Sequence, residues 1–128
     1  MSINIALDID GTITRLPDFF VLLSRSIRAN GGKVFVVTSR TNSRDVEVQT
    51  RRELQNYGIA FDELTIIPDA AGDRLPCPHG DLDWYGKYLW QKIAVCLDRE
   101  VSIIFEDDEK VVALFKRFAP DVQVFQLM

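Results

Sequence analysis

The chain has 128 residues, 47% of them hydrophobic, which is enough to bury the core of one domain over residues 1–128. Its 15 Lys and Arg residues are outnumbered by 19 Asp and Glu residues, which gives a formal net charge of −4. This balance provides no overall positive field for nucleic acid or an anionic membrane, so a phosphate-bearing ligand would have to be held by a local site.

Apolar spacing along the chain predicts strands that alternate with helices. A strand buried on both faces reads as a continuous apolar run, and Ile3–Ile9 is such a run, ended by Asp10-Gly11. Pro17–Ala29 instead repeats apolar residues at helical spacing before a stop at Gly31-Gly32. The further predicted elements are, in chain order, strand Lys33–Val37, a helix capped by Asn42-Ser43 that runs to about Tyr57, strand Leu64–Ile67, helix Tyr85–Leu97, strand Val101–Phe105, helix Lys110–Phe118 and strand Val122–Phe125.

Strands that alternate with helices predict an α/β fold. Right-handed crossovers place the helices on both faces of a parallel sheet, so we expect a doubly wound, Rossmann-like three-layer sandwich with about five strands. In such sheets ligands bind beyond the carboxyl ends of the strands. Functional residues are therefore expected where the strands end.

Two carboxylates, Asp8 and Asp10, lie where the first predicted strand ends. Strand alternation would point both to the same side before the chain turns at Gly11. Near a divalent cation the first could attack a phosphoryl group, and the second is placed to move a proton on the leaving oxygen. The alternative is an ordinary Asp-Gly turn with a solvated Asp8, but an Asp in such an apolar run would be costly to bury without a partner or a metal.

Residues 8–12, Asp-Ile-Asp-Gly-Thr after an apolar strand, resemble the first motif of the haloacid dehalogenase superfamily. Thr38, in Val-Val-Thr-Ser-Arg, is similar to the hydroxyl residue of the second motif, which donates to the transferring phosphoryl group. Asp107, in Ile-Phe-Glu-Asp-Asp, takes the place of the acidic fourth motif. The motifs occur in order at successive strand ends, and the resemblance covers nearly the whole chain.

The third motif of that superfamily is a Lys before the acidic pair, and the chain offers Lys87 and Lys92 on one predicted helix. The spacing from Lys92 to Asp107 is similar to that in small members of the deoxyribonucleotidase-like branch. Lys87 lies at the helix start, where many larger members keep theirs. Lys92 is preferred and Lys87 is the alternative; the other of the two would be a surface residue of an amphipathic helix.

The resemblance implies a strand order of 5-4-1-2-3 and a Mg²⁺ ion held by Asp8, Asp107 and the backbone carbonyl of Asp10. It implies a phosphate monoester hydrolase in which Asp8 becomes phosphorylated and Asp10 acts as acid and base. A phosphate dianion approaches an anionic Asp8 only where Mg²⁺ and a Lys offset the repulsion. The residues that would bind the phosphate are Thr38, Ser39 and Lys92.

Charged residues next to these motifs have more than one interpretation. Asp108 precedes a helical run and would either cap that helix or support a metal ligand from behind. Glu106 is assigned no role, because acidic residues after a strand are commonly solvated. Arg40 and Arg44 could meet a substrate phosphate, but solvated Arg-rich turns are more common, so both stay outside the predicted site.

Residues 68–82 contain three prolines and two glycines without periodicity, which predicts a loop. Many members of the superfamily cover the site with a folded cap at this position or after the first strand, and this chain has room for neither. A short flap over 68–82 would stand in place of a cap. An open site suits macromolecular phosphoesters, or a partner subunit that excludes water from a small substrate.

Four aromatic residues follow this flap: Trp84, Tyr85, Tyr88 and Trp90. They could stack on a nucleobase, or they could pack the helix against the sheet. His79 is the only histidine and lies in the flap, where a lone histidine is more often solvated than in contact with substrate.

The expected substrate is a phosphorylated small molecule, including a nucleotide, or a phosphoprotein, with nucleic acid disfavoured. A homo-oligomer is compatible with the sequence. A phosphotransferase using the same intermediate and a non-catalytic binding or scaffold protein are the alternatives.

The sequence predicts neither a secretion signal nor a membrane span. The first residues lack a basic region followed by an apolar stretch of signal length, and no apolar run approaches the ~18 residues of a membrane span. We therefore expect a cytoplasmic location and no membrane contact. Cys77 and Cys96 are expected to be reduced thiols.

Overall fold

Five strands form a parallel sheet in the computed structural model of the protein, which describes residues 2–40, 43–67 and 77–128. The strands are β1 (Asn4–Leu7), β2 (Lys33–Thr38), β3 (Glu63–Ile66), β4 (Ile103–Glu106) and β5 (Gln123–Gln126). They lie in the order β3-β2-β1-β4-β5, and every neighbouring pair is parallel. Read from the opposite edge, this is the predicted order 5-4-1-2-3, which is therefore confirmed.

Helices cover both faces of the sheet. Leu7 of β1 shares one buried cluster with Phe20 and Leu54, whereas the neighbouring Ala6 shares another with Ile93. Successive residues of a strand point to opposite faces, so β1 is buried on both sides. The predicted α/β three-layer fold is confirmed. The helices are α1 (Pro17–Ala29), α2 (Arg44–Tyr57), α3 (Trp84–Asp98) and α4 (Glu109–Phe118).

Side-chain caps explain where α2, α3 and α4 begin. Ser43, Asp83 and Asp108 accept hydrogen bonds from backbone N–H groups in the first turns of α2, α3 and α4. Such caps satisfy donors that have no partner within the helix. The predicted cap at Asn42-Ser43 is confirmed at Ser43, whereas Asn42 lies outside the described residues. The end of α2 at Tyr57 also agrees with the prediction, and the residue after it, Gly58, has a φ of 90° that suits a helix C-cap.

The strand ends differ from the predicted ranges by up to two residues, and the differences in β1 and β4 matter for function. β1 ends at Leu7 rather than Ile9, and Ile9–Ile13 forms a wide turn in which Asp10 and Gly11 have non-helical backbone angles. Asp8 and Asp10 are therefore not related by strand alternation: Asp8 is buried, whereas Asp10 is exposed. β4 begins at Ile103 rather than Val101 and includes Glu106, which places that carboxylate on a strand.

The described residues include the last part of the predicted flap, residues 77–82. Residues 68–76 of the predicted flap lie outside the described residues, and the described remainder leads from Cys77 into α3. Within the described ranges, no helix is both long enough and apolar enough to cross a membrane.

Phe20 and Phe19 offer a matched test of this packing, because they are neighbours in α1 but 1% and 48% exposed. Phe20→Ala should lower the free energy of unfolding by about 3–5 kcal/mol, since it leaves a cavity in the core. Phe19→Ala should lower it by only about 1 kcal/mol, since half of that ring already meets water. Urea unfolding of both variants measures the difference, and equal losses would contradict the packing described.

Candidate functional site

The carboxyl ends of three adjacent strands meet at one cleft of about 480 Å³. Asp8 directly follows β1, Thr38 ends β2, and Glu106 ends β4. Parallel strands carry their carboxyl ends to the same edge of a sheet, so the fold itself brings these side chains together. The cleft is lined by Asp8, Asp10, Thr38, Ser39, Tyr85, Tyr88, Leu89, Lys92, Glu106, Asp107, Asp108 and Val111.

A buried ion triad lies at the floor of the cleft. The Lys92 ammonium group donates to Asp8 Oδ1 at 3.0 Å and to Glu106 Oε2 at 2.9 Å. The three side chains are 3%, 8% and 1% exposed, so these contacts are almost fully removed from water. Of the two candidate lysines, the structure brings Lys92 to the cleft, whereas Lys87 is exposed and does not line it.

Burial and charge shift the ionisation of this triad. Burial raises the pKa of Asp8 to about 7, and the neighbouring Glu106 adds to the rise, while Lys92 opposes it. Burial would lower the pKa of Lys92, but the carboxylates of Asp8 and Glu106 outweigh it and raise that pKa. Lys92 is therefore a permanent cation, and the ionised form of Asp8 depends on its partners.

An acidic cluster at the same point could hold a metal ion. One carboxylate oxygen from each of Asp8, Glu106 and Asp107 lies within 4.8 Å of the other two. Three ionised carboxylates against one Lys92 ammonium group leave two negative charges unbalanced, which a divalent cation would neutralise. Carboxylate oxygens are the ligands that Mg²⁺ prefers, so the donor set fits this ion.

Gly11 leaves the space that the Asp107 carboxylate occupies. Its φ is 81°, in the left-handed region that glycine adopts without strain. A Cβ atom at this position would lie only 2.1 Å from Asp107 Oδ2, so the carboxylate occupies the space that any other residue would fill. The backbone N–H of Gly11 donates to Thr14 Oγ1 at 3.0 Å, which holds the turn.

Asp10 is held at the rim by Arg40. Arg40 donates to both carboxylate oxygens of Asp10, at 2.8 and 3.0 Å. The same guanidinium group donates to Glu53 and to Thr50 of α2. The hydrogen bonds from Arg40 lower the pKa of Asp10, so the ionised form is favoured. Arg40 was expected to be a solvated turn residue, and this interpretation is wrong, because three side chains anchor it beside the site.

The remaining predicted site residues line the same cleft. Thr38 is 1% exposed and Ser39 is exposed, so the two hydroxyl groups differ in their access to solvent. The Asp108 side chain caps α4 by accepting from the Lys110 N–H at 2.8 Å. Its own backbone N–H donates to Glu106 Oε1 at 3.2 Å, so this residue also supports a member of the acidic cluster.

Glu106 is the residue that the sequence interpretation missed. It was left without a role as a solvated acidic residue, but it is 1% exposed and contacts Lys92. The available signal was strand alternation: Glu106 lies two positions after Ile104, which is buried in the cluster beneath α3 and α4. A carboxylate at that position requires a cationic partner, and α3 supplies one.

Among the aromatic residues after the flap, only some reach the cleft. Tyr85 and Tyr88 line it. His79 instead stacks on Phe118, with ring centroids 3.8 Å apart, and meets Trp90 edge to face at 5.7 Å. His79 is therefore a packing residue and is not among the residues that line the cleft.

Comparisons with known proteins show the fold. No protein-family model and no curated protein matches the chain. A chain of the "Structure of Pnkp1/Rnl/Hen1 complex" is 19% identical over 98% of this chain, with a TM-score of 0.66. A chain of the "Structure of the Pnkp1/Rnl/Hen1 RNA repair complex" is 18% identical over 99% of it, with a TM-score of 0.68. This chain spans 46% and 42% of those two chains, and at such identity the likeness concerns the fold alone.

Gly11→Ala should weaken Mg²⁺ binding by about tenfold or more, because the new Cβ would displace the Asp107 carboxylate. Gly31→Ala is the matched control: its φ is 85°, but nothing lies within 4 Å of the added atom. Both variants should lose roughly 1–2 kcal/mol of stability from the left-handed backbone. Calorimetric titration with Mg²⁺ compares them, and equal affinities in the two variants would contradict the role given to Gly11.

The raised pKa of Asp8 predicts a pH dependence of metal binding. Because the pKa of Asp8 rises from 3.8 to about 7 on folding, protonation of Asp8 stabilises the folded, metal-free protein. This contribution is complete below pH 3.8 and is lost as the pH rises through about 7. A cation binds the ionised form, so the increase in Tm caused by Mg²⁺ should grow up to about pH 7 and level off above it. Thermal unfolding over a pH series measures this, with Asp8→Asn as the control that should lack the rise.

Proposed function

We propose that this protein is a Mg²⁺-dependent phosphomonoester hydrolase of the haloacid dehalogenase type, with Asp8 as the nucleophile that accepts the phosphoryl group. The observation that carries the proposal is the Asp8 carboxylate itself. It is buried, held by Lys92 at 3.0 Å, and yet lines an open cleft next to two further carboxylates. A buried carboxylate that faces a cleft beside a cation site is poised for reaction rather than for stability.

The metal would be held by Asp8, Asp107 and the backbone carbonyl of Asp10. Glu106 belongs to the acidic cluster, but its two carboxylate oxygens already accept hydrogen bonds from Lys92 and from the Asp108 N–H. When bound, Mg²⁺ would neutralise the negative charge of the carboxylates and of the phosphate oxygens. The side chains of the protein have separate tasks. Lys92 contacts Oδ1 of Asp8 and so holds the carboxylate in one orientation, with its second oxygen available for attack on phosphorus.

In the first step an Asp8 oxygen would form a bond to phosphorus as the bond from phosphorus to the leaving oxygen breaks. The leaving alkoxide takes a proton from Asp10, so an alcohol departs and an aspartyl phosphate remains. In the second step Asp10, now a carboxylate, would take a proton from water as the water oxygen attacks phosphorus. Asp8 is regenerated and inorganic phosphate leaves, which completes the balance of atoms and charges.

Arg40 would position Asp10 for both steps. The two hydrogen bonds that it donates fix the carboxylate at the mouth of the cleft and favour its ionised form, which is the form that accepts a proton from water. The first step needs a protonated Asp10, which Arg40 disfavours. The negative charge of a bound phosphate would have to raise the pKa of Asp10 again, with the proton taken from solvent. Residues proposed to bind the phosphate oxygens are Thr38, Ser39 and Lys92.

The proposed substrate classes differ in what they require of the cleft. One structural neighbour is named as part of an RNA repair complex, and a phosphate carried by RNA is one substrate class proposed for this chain. The net charge of −4 gives no general attraction to such a polymer, so the terminal phosphate would have to be recognised locally. A phosphorylated small molecule, including a nucleotide, requires no such attraction.

Hydrolysis of a generic aryl phosphate tests the proposed function. Wild type should turn over this substrate with Mg²⁺ and lose the activity with EDTA. Asp8→Asn should lose roughly a thousandfold or more of kcat, because the amide cannot form the covalent intermediate. Metal-dependent activity that survives in Asp8→Asn would contradict the proposal, and partner binding without turnover in either form would favour the scaffold alternative.

The two lysines of α3 provide a matched pair for the same assay. Lys92→Met should abolish turnover and also destabilise the protein by about 3–5 kcal/mol, because two buried carboxylates lose their cation. Lys87→Met removes an exposed charge from the same helix and should change neither property. Equal effects of the two substitutions would show that Lys92 has no special place in the site.

A further inference from the structure

The cleft that contains Asp8 has a second wall that phosphate chemistry does not use. Tyr85, Tyr88, Leu89 and Val111 line it beside the carboxylates. A phosphate dianion gains nothing from aromatic and aliphatic surface, so this wall points to another part of the ligand. The cleft has a volume of about 480 Å³, which is in the range of pockets that enclose a whole small molecule rather than a phosphate alone.

The first turn of α3 exposes aromatic surface near this wall, where Tyr85 lines the cleft and Trp84 stacks on Tyr88 without lining it. Trp84 is 58% exposed and Tyr85 is 40% exposed. The same helix buries its apolar residues further on, since Leu89 and Ile93 are 3% and 0% exposed. The two aromatic side chains therefore do not serve mainly to pack the helix against the sheet. Large exposed rings at the mouth of a cleft are typical of a surface that a ligand covers.

The rings are held in a defined arrangement. The Trp84 and Tyr88 rings are nearly parallel, at an interplanar angle of 5° and a centroid distance of 5.9 Å. The Tyr85 and Tyr88 rings lie 6.2 Å apart at 30°. From α4, the ammonium group of Lys110 lies 5.0 Å from the centre of the Tyr85 ring. These contacts restrict the Tyr85 ring before any ligand arrives, which reduces the ordering cost of stacking on it.

We propose that Tyr85 is the stacking site for a planar ring of the substrate, so that the preferred substrate is a phosphate monoester that carries an aromatic base, as a nucleotide does. This inference rests on the proposed function, because the phosphate end of the same ligand lies at Asp8. The ring would lie against Tyr85 while Thr38 and Lys92 bind the phosphate. Phosphates of sugars and polyols lack a ring for this wall and would bind less tightly.

The test compares a nucleoside monophosphate with glycerol phosphate as substrates of wild type, Tyr85→Ala and Tyr85→Phe. Wild type should prefer the nucleoside monophosphate, and the preference should lie in KM. Stacking of a base on an aromatic ring is worth roughly tenfold to a hundredfold in binding, so Tyr85→Ala should reduce the ratio of the two kcat/KM values by that factor. Tyr85→Phe keeps the ring and should keep the ratio. Phe125→Ala, which removes a ring that is 47% exposed away from the cleft, should also keep it.

Each other outcome overturns a distinct claim. If Tyr85→Ala leaves the ratio of the two kcat/KM values unchanged, the stacking site is refuted, while the proposed hydrolase activity is unaffected. If wild type hydrolyses neither compound, the proposed function fails on these substrates, and calorimetric binding of the nucleoside monophosphate to Asp8→Asn then decides about the ring. Equal Kd values for Asp8→Asn with and without Tyr85→Ala would refute the stacking site independently of turnover.

Discussion

The rest of the site depends on two buried ion pairs, which the ammonium group of Lys92 forms with Asp8 and Glu106. A charge removed from water is tolerated only when it is paired and hydrogen-bonded, and here it is paired twice, at 3.0 and 2.9 Å. Its partners come from the ends of β1 and β4, which are neighbours in the sheet. The triad therefore ties α3 to the centre of the sheet at the point where the cleft opens.

The same arrangement is costly for the metal-free protein. Burial raises the pKa of Asp8, and Asp107 adds a third carboxylate within 4.8 Å of the other two acidic groups. One lysine does not balance three ionised carboxylates, so a proton or a cation in addition would reduce the repulsion among them. A site with this imbalance is suited to binding a divalent cation and a phosphate together, because each offsets the charge of the other.

The sequence alone predicted the fold well, because the apolar runs were long and well separated. The bounds of α1 and the end of α2 agree with the prediction from the apolar pattern, and the strand order agrees with the order that the family resemblance implies. Helix boundaries were set by local caps such as Ser43, which short-range patterns show directly. The end of β1 was less predictable, because the wide turn after it depends on the space that Gly11 leaves for Asp107, a contact between distant segments.

The choice between the two lysines shows what more the sequence contained. Leu89, Ile93 and Cys96 form the buried stripe of α3, at spacings of four and three residues. Lys92 lies within that stripe and Lys87 lies outside it, so helical phase alone distinguishes a buried lysine from a surface one. Arg40 offered no comparable signal, because its contacts with Asp10 and Glu53 join segments that only the tertiary fold brings together.

The most direct test of the central claim is to look for the phosphoryl group on Asp8. Asp10→Asn, mixed with Mg²⁺ and an aryl phosphate that carries a radiolabelled phosphoryl group, should slow hydrolysis of the intermediate and allow it to be trapped by acid. The prediction is a label that hydroxylamine removes and that mass spectrometry places on Asp8. Turnover without any labelled protein, or a label on another residue, would contradict the role of Asp8 as nucleophile.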